Sequence, residues 1–411
     1  MAAAPAEAQS GSGGGTTQAD RIPGTEWQTN VSEDGRSVEF SVLVAAPDGG
    51  LLAGGTASSP DNSELNSGAM RLVRTDPHGT VLWDRTVDFE GSNETVAHAA
   101  FTSDGGVIVA ATSTQNDPDD PTYWRMKDKD TPFVLKLDAA GETVWSQKYA
   151  QAGFSESVTL KETADGGYLL AGDMDPNNNS EMPKICFSYW IMKLGSVGEA
   201  GELTCLDAVG DLGNIPGLSI FPVGDGFMAI GGSGESKFDA VAIAQDLSFG
   251  PRRKLVTFPS RPHRQLKGIS PLRGGGFAGY GCEGEMLSRV EGCEDGWMFA
   301  VDGDLMTVVM SPESLFPGTF FTAIAGTAGG FALSGTSDRG VFVTLTDRAG
   351  NVARTIGMGN AGSIAVNALA TLPDGGLAAA GSFAGEGGGA STAWIVKFSA
   401  GVDGEGTIAS E

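Results

Sequence analysis

A glycine-rich turn recurs seven times along this chain of 411 residues, each time between two apolar runs. The copies are Pro47-Asp48-Gly49-Gly50-Leu51, Ser103-Asp104-Gly105-Gly106-Val107, Ala164-Asp165-Gly166-Gly167-Tyr168, Gly224-Asp225-Gly226-Phe227, Gly274-Gly275-Gly276-Phe277, Ala328-Gly329-Gly330-Phe331 and Pro373-Asp374-Gly375-Gly376-Leu377. The first residues after the turns are spaced by 56, 61, 59, 50, 54 and 46 residues. A period of this size means one supersecondary unit stacked on copies of itself. It outranks the division into several domains that the length alone suggests.

The second copy shows the unit. Thr95 to Thr102 reads as an inner strand, and Asp104-Gly105-Gly106 turns the chain, glycine supplying the positive φ. Val107 to Thr112 is apolar almost throughout, the signature of a strand buried on both faces. A polar loop leads to a third strand, Phe133 to Leu137; Asp138-Ala139-Ala140-Gly141 makes a hairpin, and Glu142 to Tyr149 is the outer strand. Four antiparallel strands joined this way form a propeller blade. The expectation is an all-β, seven-bladed β-propeller with blades near 33–90, 91–152, 153–210, 211–259, 260–313, 314–359 and 360–401. The seventh copy lacks an outer strand, because the chain after Phe398 is too glycine-rich. Thr25 to Val31 matches the outer-strand pattern of Thr80 to Val87, so the N-terminal strand is expected to complete the last blade and remove two exposed sheet edges.

Composition agrees with this. Sixty-two glycines without a collagen period suit many tight turns, and 40% hydrophobic residues suffice for a core. The 26 basic and 51 acidic residues give a net charge of −25, which repels nucleic-acid phosphates and anionic membrane surfaces. No apolar run reaches membrane-spanning length. Residues 1–22 are rich in Ala, Gly, Ser and Thr and read as a flexible tether from which a signal peptide has been removed, pointing to a secreted, periplasmic or cell-surface protein, monomeric by expectation. The spacing of the four cysteines is not that of a zinc site; Cys282 with Cys293, and Cys186 with Cys205, are either disulfides or buried thiols.

These residues resemble the Asp-Gly-Gly-type β-propeller repeats of exported bacterial and archaeal proteins. That pattern runs through an Asp-Gly-Gly turn, an apolar strand ending in Ala-Gly, Trp-x-x-Lys-Leu, Asp-x-x-Gly and a Trp-containing outer strand. Ala164 to Gly172, Trp190 to Leu194 and Asp138 to Trp145 carry the match. It spans about residues 25–400, well kept in blades one to three and seven and drifted in blades four to six, whose outer strands have no Trp. The resemblance implies the fold and an exported location and transfers no catalytic signature. A weaker likeness to quinoprotein repeats at Lys136 to Trp145 lacks their Thr-Gly pair, so quinone chemistry is not expected.

Loops joining second to third strands lie on one face of a propeller, and here they are long at 57–69, 113–132, 173–188, 282–296 and 382–392. On the blade-two loop Asp119, Tyr123, Trp124 and Arg125 suit a sugar ring, which Trp124 stacks on unless it anchors the loop to its own blade. Asp173, Asp175, Asn177 and Asn179 alternate as oxygen ligands for Ca²⁺, or form an Asx-rich turn without metal. Arg261, His263 and Arg264 enter the inner strand of blade five as a basic cluster that can grip a carboxylate or sulfate, with His263 as general base, or can simply balance charge. Glu94 and Glu156 begin adjacent inner strands and are candidates for an acid/base pair at the channel mouth, or ordinary surface groups. No nucleophile elbow, metalloprotease helix or phosphate loop is present. The leading reading is a binding or scaffold module for a glycan or protein; the alternative is a carbohydrate-active hydrolase or lyase.

Overall fold

Alternation and glycine turns predict hairpins, and each repeat folds as one antiparallel sheet in the computed structural model. It describes residues 22, 24–59, 68–88, 92–114, 130–152, 158–173, 189–206, 219–223, 226–232, 237–248, 250, 253–257, 264–273, 275–283, 295–301, 319–360, 362–385 and 389–399. The chain opens with β1 (Thr25–Val31). Blade 1 holds β2 (Ser37–Ala45), β3 (Leu51–Ser58), β4 (Ala69–Thr75) and β5 (Val81–Val87). Blade 2 holds β6 (Asn93–Phe101), β7 (Val107–Thr114), β8 (Asp130–Leu137) and β9 (Thr143–Lys148). Blade 3 holds β10 (Val158–Glu162), β11 (Tyr168–Asp173), β12 (Tyr189–Leu194) and β13 (Ala200–Cys205). Blade 4 holds β14 (Ser219–Val223), β15 (Gly226–Gly232), β16 (Lys237–Ile243) and β17 (Arg253–Thr257). Blade 5 has β18 (Arg264–Pro271), β19 (Phe277–Glu283) and β20 (Asp295–Val301); its expected outer strand, 306–309, lies outside the described residues. Blade 6 holds β21 (Phe320–Gly326), β22 (Gly330–Ser337), β23 (Gly340–Asp347) and β24 (Val352–Gly359). Blade 7 is β25 (Ile364–Thr371), β26 (Leu377–Phe383) and β27 (Thr392–Phe398), with β1 added at its outer edge.

The first strand of every blade is innermost, and these strands neighbour one another in the order β2, β6, β10, β14, β18, β21, β25 and back to β2. This is a closed ring of seven blades around a channel. β1 pairs antiparallel with β27 from Thr25 opposite Phe398 to Val31 opposite Ala393, so the expected closure is present. Ile22, the last residue of the stretch read as a tether, is buried in the core between blades 6 and 7 beside Ile364 and Trp394. The apolar core lies between blades. Leu52, Leu72, Val96, Val109 and Phe133 join blades 1 and 2, and Ile108, Leu160 and Trp190 join blades 2 and 3. Second strands are therefore covered on both faces, which is why β3 and β7 read as nearly continuous apolar runs.

Two devices repeat in blades 7, 1, 2 and 3. In the first, the turn aspartate accepts the second glycine's N–H, as Asp48 does from Gly50 at 2.9 Å and Asp104 from Gly106 at 2.9 Å. The same carboxylate binds a cation from the third strand: Asp48 with Arg74 at 2.6 Å, Asp104 with Lys136 at 3.0 Å, Asp165 with Lys193 at 2.6 Å and Asp374 with Lys397 at 3.2 Å. The Asp-Gly-Gly turn and the lysine of the third strand are thus two halves of one contact.

The second device joins blades. The outer-strand tryptophan lies on the left-handed glycine of the next blade's last hairpin. A Cβ on Gly79 would come 2.5 Å from the Trp27 ring, one on Gly141 2.7 Å from Trp83, and one on Gly198 2.7 Å from Trp145. Their φ values are +84°, +79° and +86°. Only glycine has both the conformation and the room. Trp27 Nε1 donates to Pro77 O at 3.0 Å and Trp83 Nε1 to Ala139 O at 3.2 Å. Two residues on, Thr29 Oγ1 donates to Gly79 O and Arg85 Nε to Gly141 O.

Blades 4, 5 and 6 have lost the first device's cation. Ala242, Ala300 and Leu345 take the register position of Lys136. The second device is replaced between blades 3 and 4. Counting from the bulge in β13, Glu202 stands where Trp145 stands in β9. Leu247 then takes the hairpin's left-handed position at φ +63°, strained for a leucine, and packs half-buried with Leu206 and Phe227.

Candidate functional site

The two faces of the ring are built differently. One carries the first-to-second and third-to-fourth turns, capped by aspartates whose charge the turn stabilises. Asp104 is held down to about 2 by the Thr102 hydroxyl first, then, against some burial, by the Gly106 N–H and the Lys136 ammonium. Hydrogen bonds to Lys193 and then Thr163 hold Asp165 well below the usual carboxylate range. These carboxylates are committed to structure. The other face carries the segments between second and third strands: 59–68, 115–129, 174–188, 284–294 and 384–391 among them, against two residues, Asp338 and Arg339, in blade 6.

Asp119, Tyr123, Trp124, Arg125, Glu156, Asp175, Asn177, Asn179, Arg261 and His263 lie outside the described residues. Asp173 ends β11 opposite Tyr189, and Arg264 begins β18 opposite Glu283. Glu94 is the candidate whose side chain is described. It is fully buried, and its Oε1 accepts the Ser92 hydroxyl at 2.6 Å and the Ser113 hydroxyl at 3.3 Å. Its N–H donates to Gly68 O in blade 1. The neighbouring Thr95 is the exposed residue of the pair. Glu94 therefore faces the seam between blades 1 and 2 rather than the channel mouth. His78 is exposed in its hairpin, as its turn implies, with its N–H bonded to Asp76 Oδ1. Among the described residues no group of three or more His, Cys, Asp or Glu side chains is placed to hold a metal ion. Cys205 is disulfide-bonded.

The channel wall has a feature the sequence did not announce. Inner strands β2, β6, β18, β21 and β25 each bulge at mid-length, releasing Ser41, Ala97, Lys267, Thr322 and Asn367 from the ladder. Three of these side chains bridge to the carbonyl just before the next blade's bulge. Thr322 Oγ1 donates to Val366 O at 2.6 Å, Asn367 Nδ2 to Phe40 O at 3.0 Å, and Ser41 Oγ to Val96 O at 3.2 Å. The polar belt runs from blade 6 through 7 and 1 to blade 2, where Ala97 ends it. His98, just past that bulge, pairs opposite Ala110, whose side faces blade 3. Its Nδ1 is buried without a partner, and burial followed by the nearby Lys161 charge pushes its pKa down to about 4.

No family model matches the chain, and no curated protein matches it. Solved structures do share its outline. The Neurospora crassa Pan2 WD40 domain aligns at 11% identity and TM-score 0.49 over 87% of this chain and 89% of that one. Drosophila Plexin A in complex with Semaphorin 1b aligns at 11% and 0.48 over 92% and 88%. A protein of unknown function from Dyadobacter fermentans DSM 18053 aligns at 9% and 0.47 over 92% and 100%. At such identities and scores these likenesses carry nothing about activity; the propeller assignment rests on the sheet order and ring closure.

Proposed function

We propose that this protein is a non-catalytic binding or scaffold propeller, exported from the cell, which recognises a glycan or a protein with its loop face. The observation that carries the reading is the asymmetry of the ring. One face is tied off mainly by short turns, with the turn carboxylates of blades 1, 2 and 3 occupied, while the other bears the segments 59–68, 115–129, 174–188 and 284–294. Recognition residues concentrate on loops held by a rigid scaffold. The blade-two segment, with Tyr123, Trp124 and Arg125, supplies aromatic and charged groups suited to a sugar or a polar protein surface. The burial of Glu94 under two serine hydroxyls supports a structural role for the one described carboxylate among the catalytic candidates. The Cys205 disulfide supports an oxidising compartment.

The test is a panel of neutral and acidic glycans and of exported proteins against the parent chain and variants in which 115–129 or 174–188 is replaced by a two-residue hairpin. The expected result is a ligand retained by the parent, raising its Tm, and lost from at least one trimmed variant that still melts cooperatively. Turnover of any polysaccharide that disappears in Glu94→Gln overturns it.

A further inference from the structure

Near its loop-face end each third strand sets one residue opposite a small residue of the second strand. In five blades that residue is aromatic: Phe133, Trp190, Trp297, Phe342 and Trp394, opposite Ala111, Gly172, Gly281, Gly335 and Gly381. All five are buried in the seam with the preceding blade. Blade 4 carries Asp239 there. Blade 1 carries Arg71, opposite Gly55, and its seam is the one that closes the ring: Val73, two residues on, shares a core with Val31 of β1 and Ile395 of β27. Acids meet the guanidinium. Arg71 Nη1 donates to Glu33 Oε2 at 3.1 Å and to the Thr86 hydroxyl, and Nη2 to Asp84 Oδ2 at 2.6 Å. Glu33 belongs to the hairpin of residues 32–36 that links β1 to β2. Arg36 Nη1 lies 3.4 Å from Glu33 Oε1, and Arg36 Nη2 donates to Ala57 O at 2.6 Å. The Arg71 side chain is 13% exposed, against 28% for Glu33 and 29% for Asp84. Arg71 Nε and Asp84 Oδ1 are buried without a hydrogen-bond partner, and burial raises the Asp84 pKa above its ordinary value although Arg71 lies against it. At the turn-face end of the same seam stands the Trp27 ring over Gly79.

We infer that this cluster is an ionic latch: as ionic strength rises, the loop-face end of the closing seam lets go of the 32–36 hairpin, while Trp27 holds the turn-face end as a pivot. An aromatic ring in a seam is held by apolar burial, which added salt does not weaken. The Arg71 contacts respond in the opposite sense. Salt screens a pair whose acid still reaches water, as Glu33 does. The groups are also partly desolvated, so the hydration they regain on opening offsets the attraction they lose. Glu33 bridges Arg71 and Arg36, so freeing it detaches the hairpin from the third strand of blade 1. The strand that follows stays in place. Val38 N donates to Ser391 O and Ser391 N to Ser37 Oγ, both at 3.0 Å, and neither bond is ionic. Opening is therefore confined to residues 30–36 and bares Val31, which is buried when the latch is shut. The second strands of the two blades, β3 and β26, take no part. The latch stands on the closing seam and does not depend on what the loop face binds.

The test is amide hydrogen exchange of the full chain, resolved to single residues, in sodium chloride at about 20 mM and about 1 M, concentrations that move the screening length from about 20 Å to about 3 Å. Exchange across residues 30–36 should rise about tenfold at high salt, with residues 24–27, β3 and β26 unchanged. Glu33→Gln should exchange at the high-salt rate already at low salt and gain nothing more. The double variant Arg71→Phe with Asp84→Ser takes the residues that blade 2 carries at the same register, Phe133 and Ser146, and should exchange slowly at both concentrations. Arg85→Gln breaks the exposed pair with Glu142 between blades 1 and 2 and should keep the parent's response. Exchange across 30–36 that ignores salt in the parent overturns the inference. So does a Glu33→Gln variant that responds to salt as the parent does, or an equal rise at residues 24–27, which would mean general loosening of β1.

Discussion

Blades 7, 1, 2 and 3 are joined and braced by the same pair of contacts, while blades 4, 5 and 6 hold together without them. In the first arc each outer tryptophan covers a glycine of the next blade, and each turn aspartate is tied to a third-strand cation. In the second, the cation is Ala242, Ala300 or Leu345, and at the start of the arc a leucine in a left-handed conformation fills what a tryptophan fills elsewhere. Arg273 and Arg348 instead strap blades 5, 6 and 7 through backbone carbonyls. The lesson is that a repeat keeps its fold when its locks drift, provided each lost lock is replaced locally.

The largest effect should come from the locks themselves. Trp83→Ala removes a nearly buried ring and its bond to Ala139 O, and should cost about 3–5 kcal/mol in urea unfolding. Arg354→Ala, at the same register position in β24, should cost less than about 1 kcal/mol. Equal losses would erase the distinction between the arcs.

The glycine beneath each tryptophan sharpens the same contrast. Gly141→Ala forces a Cβ against Trp83 at φ +79° and should cost about 2–3 kcal/mol. Leu247→Gly relieves about 1 kcal/mol of strain against the loss of a half-buried side chain, so its net effect should stay within about 1 kcal/mol.

His98 tests the seam between blades 2 and 3 by pH. Its folded pKa of about 4 lies below the ordinary 6.5. Above pH 6.5 both folded and unfolded chains carry it neutral. As pH falls from 6.5 towards 4 the unfolded chain takes the proton first, so stability is lost across that window, by about 2 kcal/mol. His98→Phe should flatten this slope when unfolding is followed from pH 7 to pH 4; an unchanged slope would place the titration elsewhere.

Asp104 gives the smallest effect. Its pKa, held to about 2 against the usual 3.8, means its contribution is present above pH 3.8 and lost as pH falls towards 2. Screening at this exposed carboxylate limits the loss to about 1 kcal/mol, and Asp104→Asn should remove it. Blade 5 carries Gly274 in the corresponding turn and has no such acid to titrate.

The sequence made the ring legible because its determinants are local. Asp104-Gly105-Gly106 forces a turn wherever it occurs, and Thr25 to Val31 announced its partner by copying Thr80 to Val87. What stayed hidden depends on neighbours across blades. Trp83 and Gly141 were both visible, but nothing in either says that one lies on the other. The inner-strand bulges were also invisible, and they decide which side chains face the channel. A single residue of phase puts Glu94 in the seam and Thr95 in the open.

The division of the ring into a locked and an unlocked arc is tested most directly by amide hydrogen exchange resolved strand by strand. The second strands are the fair comparison, since each lies mid-blade. β3, β7, β11 and β26 should exchange only through global unfolding, while β15 and β19 open earlier, at lower free energy. Exchange at one common free energy around the ring, or earlier opening of β3 and β7, would contradict it.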